Sequence, residues 1–124
     1  MNDCIFCAIA KKEKPAELVH ETADVVVFKD IKPDAPVHLL IVPKKHVVSI
    51  AELAPEDRGL VAELLFTAKD VAKAQGLSGY RLCFNVGREG GQIVDHLHLH
   101  MLGGWKPSHE FWAIRYKLQE ITCH

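Results

Sequence analysis

The chain has 124 residues, 48% of them hydrophobic and 25% charged, with a net charge of −1. That length suits one domain with a sizeable core, and the balance excludes a disordered chain. The near-zero charge argues against broad electrostatic binding to nucleic acid or an anionic membrane, and no apolar run is long enough for a membrane span.

Cys4 and Cys7 open the chain as a C-x2-C pair. Two thiolates cannot close a tetrahedral zinc site, so the pair gains meaning only if two histidines come within reach. The N-terminus, Met1–Cys7, lacks the basic stretch and long apolar core of a signal peptide, so export is not expected. A cytoplasmic location is the expectation, and four cysteines in a reducing compartment point to metal binding or catalysis before structural disulfides. Ile5, Phe6, Ala8 and Ile9 read as a short helix or turn ended by Pro15.

Residues 17–20 and 24–29 read as strands joined by a turn over 21–24. Residues 30–36 hold two prolines and two aspartates, which is loop chemistry. Val37–Val42 is the next strand. It carries His38 among aliphatic residues, where the imidazole needs a polar partner, either within the core or in a site. Pro55 suits a first helical turn, and Val61, Leu64, Leu65, Ala68, Val71 and Ala72 recur at helical spacing until Gly76. Phe66 lies off that stripe and is a candidate partner contact. Tyr80–Val86 alternates as a strand, with Cys83 a small filler. Gly87–Gln92 follows as a glycine-rich turn: either a hairpin alone, or a backbone cradle for an anion.

The most informative stretch is Asp95–Leu102, flanked by Gly90–Gly91 and Gly103–Gly104. Imidazole and aliphatic side chains alternate strictly, so in a strand His96, His98 and His100 share one face while Leu97, Leu99 and Met101 share the other. Metal ligation, acid–base relay and nucleophilic attack all fit such a row. Beyond Gly104 the aromatic residues have no clear period.

Together these residues resemble the histidine triad family, and within it the branch of nucleotide-binding proteins that act as purine nucleoside phosphoramidases. The resemblance rests on His96–Leu102, preceded by Gly90-Gly91-Gln92. It also takes in Cys4-Ile5-Phe6-Cys7, Phe28-Lys29-Asp30-Ile31 and Ile41-Val42-Pro43-Lys44-Lys45-His46. It implies an α+β fold, an antiparallel sheet of about five strands with one long and one short helix. Residues 1–104 would be the domain and 105–124 a tail.

The same resemblance implies His98 as nucleophile on an α-phosphate, His100 in proton transfer or phosphate binding, and His38 beside them. Asn85, Gly91 and Gln92 would hold phosphate, Asp30 the ribose hydroxyls, and Ile31 and Phe6 would lie near the base. Cys4, Cys7, His46 and His96 would bind a structural zinc, and the protein would pair as a homodimer with Phe66 near the contact. The implied activity is hydrolysis of nucleoside 5′-phosphoramidates through a nucleotidyl-histidine, with no organic cofactor. The competing readings are a dinucleoside polyphosphate hydrolase, a dimeric nucleotide-binding adaptor with incidental activity, and a metal-binding module built on the histidine row. Ile93 stands where the phosphoramidase branch commonly carries a serine, which opens the choice of leaving group.

Overall fold

The computed structural model describes residues 4–106. All but the first two residues of the expected 105–124 tail therefore lie outside the described residues. Cys4 caps a six-residue helix α1, Ile5–Ala10, by accepting the Cys7 N–H on its sulfur. Strands β1 (Leu18–Glu21) and β2 (Val25–Lys29) follow. Their turn is held by Thr22, whose hydroxyl accepts the N–H groups of Asp24 and Val25 while its own N–H reaches the Val25 carbonyl. Strand β3 (Val37–Pro43), the long helix α2 (Arg58–Ala74), β4 (Tyr80–Cys83) and β5 (Leu99–Gly103) complete the order. The fold is the expected α+β arrangement, a single antiparallel sheet ordered β1-β2-β3-β5-β4.

β2 and β3 are central, so both their faces are covered and they read as continuous apolar runs. One face meets α2 in a cluster of Val25, Val27, Leu39, Ile41, Leu64, Ala68, Val71, Leu97, Leu99 and Met101. The other meets α1 through Phe6, Ile9, Val26, Phe28, Leu40 and Val42. The aliphatic half of the histidine row thus belongs to the α2 core.

Two expectations shift. The helix begins with a 3-10 turn, Pro55–Asp57, before Arg58, and its buried stripe takes Thr67 in place of Leu65, which is 42% exposed. The histidine strand starts at Leu99, not Asp95, because the Leu97 N–H turns aside to the Val47 carbonyl at 2.6 Å. The alternation survives this departure in the packing, since Leu97, Leu99 and Met101 all enter the α2 core although the chain bends at 94–96. Register then does the rest: Leu40 lies opposite His100 and His38 opposite Leu102, so two histidines 62 residues apart become diagonal neighbours on the α1 face.

Candidate functional site

His98 is 8% exposed, with its ring edge-on to Phe6 at 5.1 Å and to His100 at 4.9 Å. Its Nδ1 lies 2.6 Å from the His96 carbonyl oxygen. A carbonyl only accepts, so Nδ1 carries the hydrogen and Nε2 keeps a lone pair, the form a nucleophile needs. Burial pushes the ring's pKa down, against the upward pull of that hydrogen bond and of Asp30. Neutral imidazole is therefore the form present near pH 7.

The neighbouring pair has its tautomers fixed by the same logic. The Asp34 N–H can only donate, and it points at His38 Nδ1 over 3.0 Å. Neutral His38 thus bears its hydrogen on Nε2, which lies 2.9 Å from His100 Nδ1. His100 accepts there and carries its own hydrogen on Nε2. Burial also lowers the His38 pKa, while Asp30 and Asp34 oppose the shift. One main-chain N–H so orients two imidazoles.

His96 is fully buried and serves a different centre. Its Nε2–H donates to the Pro43 carbonyl at 2.8 Å, leaving the Nδ1 lone pair toward Cys4 Sγ at 3.2 Å, Cys7 Sγ at 3.4 Å and His46 Nδ1 at 3.2 Å. Cys7 Sγ lies 3.2 Å from His46 Nδ1, and all four donor atoms fall within 4.8 Å of one another. Zinc bonds of about 2.0–2.3 Å at tetrahedral angles put donors roughly 3.3–3.8 Å apart. Two sulfurs, two nitrogens and a ligand ring oriented through its second nitrogen fit zinc. Burial first, then His46 and His98, take the His96 pKa down to about 4, which keeps its nitrogen unprotonated. Burial raises the Cys4 thiol, since desolvation penalises the thiolate.

Asp30, His38 and His100 also bring three donors within 4.8 Å. That trio suits a cation poorly, because the Asp34 amide leaves His38 with a hydrogen on the nitrogen that would have to bind.

The glycine turn lies just upstream. Gly87 (φ 70°) and Gly91 (φ 87°) bracket a 3-10 turn at Arg88–Gly90, and both need the left-handed backbone that glycine adopts without strain. Asn85 donates from Nδ2 to the Gly90 carbonyl at 2.7 Å, and its Oδ1 is buried without a hydrogen-bond partner among the described residues. Gln92 is 2% exposed and its amide is engaged inward: Oε1 accepts from the Gly87 N–H, and Nε2 donates to the Val48 and Val94 carbonyls. Its side chain braces the turn, and its main chain is engaged as well, the N–H with the Gly87 carbonyl and the carbonyl with Arg88. A groove of about 390 Å³ beside the turn is lined by Arg88, Gly91, Gln92 and Ile93, with Ile93 74% exposed. Ile31 is 90% exposed, beyond the packed part of the site.

Three contributors escaped the sequence reading. Asp34 and Pro43 act through main-chain groups, which no side-chain pattern reveals. Arg88 forks onto Asp95 at 2.8 and 2.9 Å and also holds the Gln92 carbonyl at 2.7 Å. Opposite charges at the two ends of a glycine turn were the available sign of that clamp.

The comparisons with known proteins follow the same outline. The family described as "Scavenger mRNA decapping enzyme C-term binding" matches residues 3–111. Protein HitA of Neisseria gonorrhoeae is 48% identical over 104 residues, covering 83% of this chain and 97% of that protein. A HIT family hydrolase from Legionella pneumophila Philadelphia 1 superposes with a TM-score of 0.82 at 50% identity, over 86% of this chain and 97% of its own. A histidine triad family protein from Mycobacterium smegmatis, described as zinc-bound, gives 0.76 at 28% identity, over 86% and 78%. With the triad, the sheet and the matched span in agreement, the chain belongs to the histidine triad family.

Proposed function

We propose that the protein is a purine nucleotide-binding hydrolase that cleaves the P–N bond of nucleoside 5′-phosphoramidates through a nucleotidyl-His98 intermediate. The observation that carries this reading is the tautomer of His98, whose Nδ1–H is committed to the His96 carbonyl and whose Nε2 lone pair stands beside a second oriented imidazole. Nε2 attacks the α-phosphorus of a substrate whose nitrogen has taken a proton from solvent; the P–N bond breaks with its electron pair on that nitrogen, and neutral amine leaves, hydrogen-bonded by His100 Nε2–H. Water then cleaves the new N–P bond and frees the nucleoside monophosphate. Splitting one displacement into two lowers each barrier. Asn85, whose Nδ2 has a second hydrogen besides the one given to Gly90, is the side-chain donor at hand for phosphoryl oxygens, while the N–H groups of Gly90, Gly91 and Gln92 close the turn itself. Asp30 reads the sugar, with Phe6 and Ile31 toward the base. Proteins of this family include nucleotide binders, in keeping with such a site.

Zinc at Cys4, Cys7, His46 and His96 is part of the proposal and serves structure, not chemistry. A cytoplasmic home is part of the same reading, and no helix among the described residues is long and apolar enough to cross a membrane.

The test is turnover of nucleoside phosphoramidates set against dinucleoside polyphosphates, by the wild type and by Ile93→Ser. Preferred release of amine is expected, with a rise in kcat in the variant as a hydroxyl replaces an apolar side chain beside the glycine turn. A preference for dinucleoside polyphosphates would instead establish the alternative hydrolase, and tight nucleotide binding without turnover the adaptor.

A homodimer completes the reading. β4 is an edge strand, and Leu82, Val86 and Phe66 are 40%, 39% and 64% exposed. An edge strand can template pairing with another chain, and the two-fold homodimer is the commonest oligomer, so a second copy is the proposed cover for this surface. Sedimentation at micromolar concentration is expected to give twice the 13.9 kDa chain mass, and Phe66→Glu to shift the protein toward monomer.

A further inference from the structure

The sulfurs of Cys4 and Cys7 are brought together by the backbone as well as by the histidines around them. The Cys7 N–H donates to Cys4 Sγ at 3.4 Å, so the first turn of α1 folds one cysteine back toward the other. Both sulfurs lie within 4.8 Å of each other and of the His46 and His96 nitrogens. A disulfide closes such a gap to about 2 Å, and C-x2-C is the spacing of dithiols that oxidise reversibly. The cluster is open on one side: Cys4 is half-buried and His46 exposed, while Cys7 and His96 are buried. A small oxidant therefore meets Cys4 first.

We propose that Cys4 and Cys7 are an oxidation site, a dithiol that hydrogen peroxide converts to a disulfide, and that this disulfide and bound zinc exclude each other. The Cys4 thiolate attacks one peroxide oxygen, the O–O bond breaks and hydroxide leaves, which makes Cys4 a sulfenic acid. The Cys7 thiolate then attacks the Cys4 sulfur and expels a second hydroxide. Two protons from solvent turn both hydroxides into water, so two thiolates and one peroxide give one disulfide and two waters; the sulfurs lose the two electrons that the peroxide gains. Disulfide sulfurs have no thiolate charge to offer a metal. Only His46 and His96 of the cluster then remain as ligands, too few to hold zinc. The release of metal rests on the zinc reading above, whereas the disulfide needs only the two sulfurs. In a reducing compartment such a bond is transient, which suits a site that cycles. Phe6 lies between the two cysteines, with its ring edge-on to His96 at 6.1 Å and to His98 at 5.1 Å. Drawing the flanking sulfurs together shifts that ring, so oxidation at the start of the chain reaches the triad.

The test treats the purified full chain with hydrogen peroxide, follows released zinc with a colorimetric chelator and maps the cysteines by mass. The tryptic peptide Met1–Lys11, which holds both cysteines, is expected to lose two hydrogens as one zinc per chain is released. A dithiol reductant with added zinc is expected to restore the reduced peptide, the bound metal and the unfolding midpoint together. Zinc retained on a peptide that stays reduced overturns the proposal and leaves the zinc reading standing. A peptide that gains oxygen and is not restored by the reductant also overturns it, since that is irreversible oxidation of a thiol and not a dithiol cycle. Protein purified without zinc, whose peptide still cycles between dithiol and disulfide, overturns the zinc reading and upholds the oxidation site.

Discussion

His98→Ala is expected to abolish the covalent step, with kcat falling beyond the 10²- to 10⁴-fold that loss of an acid–base group typically costs. The reason is that no second imidazole replaces it. His96 has both nitrogens committed, one to Pro43 and one to the Cys4–Cys7–His46 cluster. His100 Nδ1 is occupied by His38. His100→Ala should be milder, since the nucleophile and its orienting carbonyl remain. Rapid quenching of the wild type is expected to trap one nucleoside monophosphate on the peptide that contains His98, and the alanine variant should trap none. A label on another peptide, or turnover by His98→Ala, would refute the mechanism.

Removal of the proposed zinc is expected to have the second large effect, and it falls on stability. The purified protein should hold one zinc per chain. At a thousandfold excess of free zinc over its dissociation constant, binding to the folded state alone contributes about 4 kcal/mol. Chelation, or Cys4→Ser, should therefore lower the unfolding midpoint clearly, and zinc should restore the wild type but only partly the variant. The cluster ties the start of the chain to β3 and to the approach to β5 through residues 39 to 92 positions apart. Phe6 sits between the two cysteines and against His98, so kcat should fall as well once α1 is released. An unfolding curve that ignores both chelator and substitution would remove zinc from the account.

The sequence alone settled what depends on local period and composition. Alternation of histidine with leucine and methionine requires an extended backbone with two unlike faces, and Leu97, Leu99 and Met101 do enter the α2 core. The apolar runs at 25–28 and 37–42, the helix after Pro55 and the glycine turn follow from propensity and backbone freedom in the same way. The family's residues were legible because they lie in short, ordered motifs. Side-chain direction inside a turn was not, and the Gln92 amide, expected toward phosphate, braces Gly87 instead. Nor was the choice between Leu65 and Thr67, neighbours near the boundary of one helical stripe, because the facing sheet decides which of them is covered.

The resemblance had assigned the three histidines different tasks, and only the tertiary structure supplies the physical ground for dividing them. A period of two makes them equivalent. What separates them is non-local: α1 and the segment after β3 bring sulfur and nitrogen to His96, while the β3–β5 register brings His38 to His100. The backbone groups that set the tautomers, the carbonyls of His96 and Pro43 and the N–H of Asp34, are common to every residue type and so leave no trace in a sequence. Chemistry at this site depends on which ring nitrogen bears a hydrogen, and that is fixed by partners placed through long-range packing.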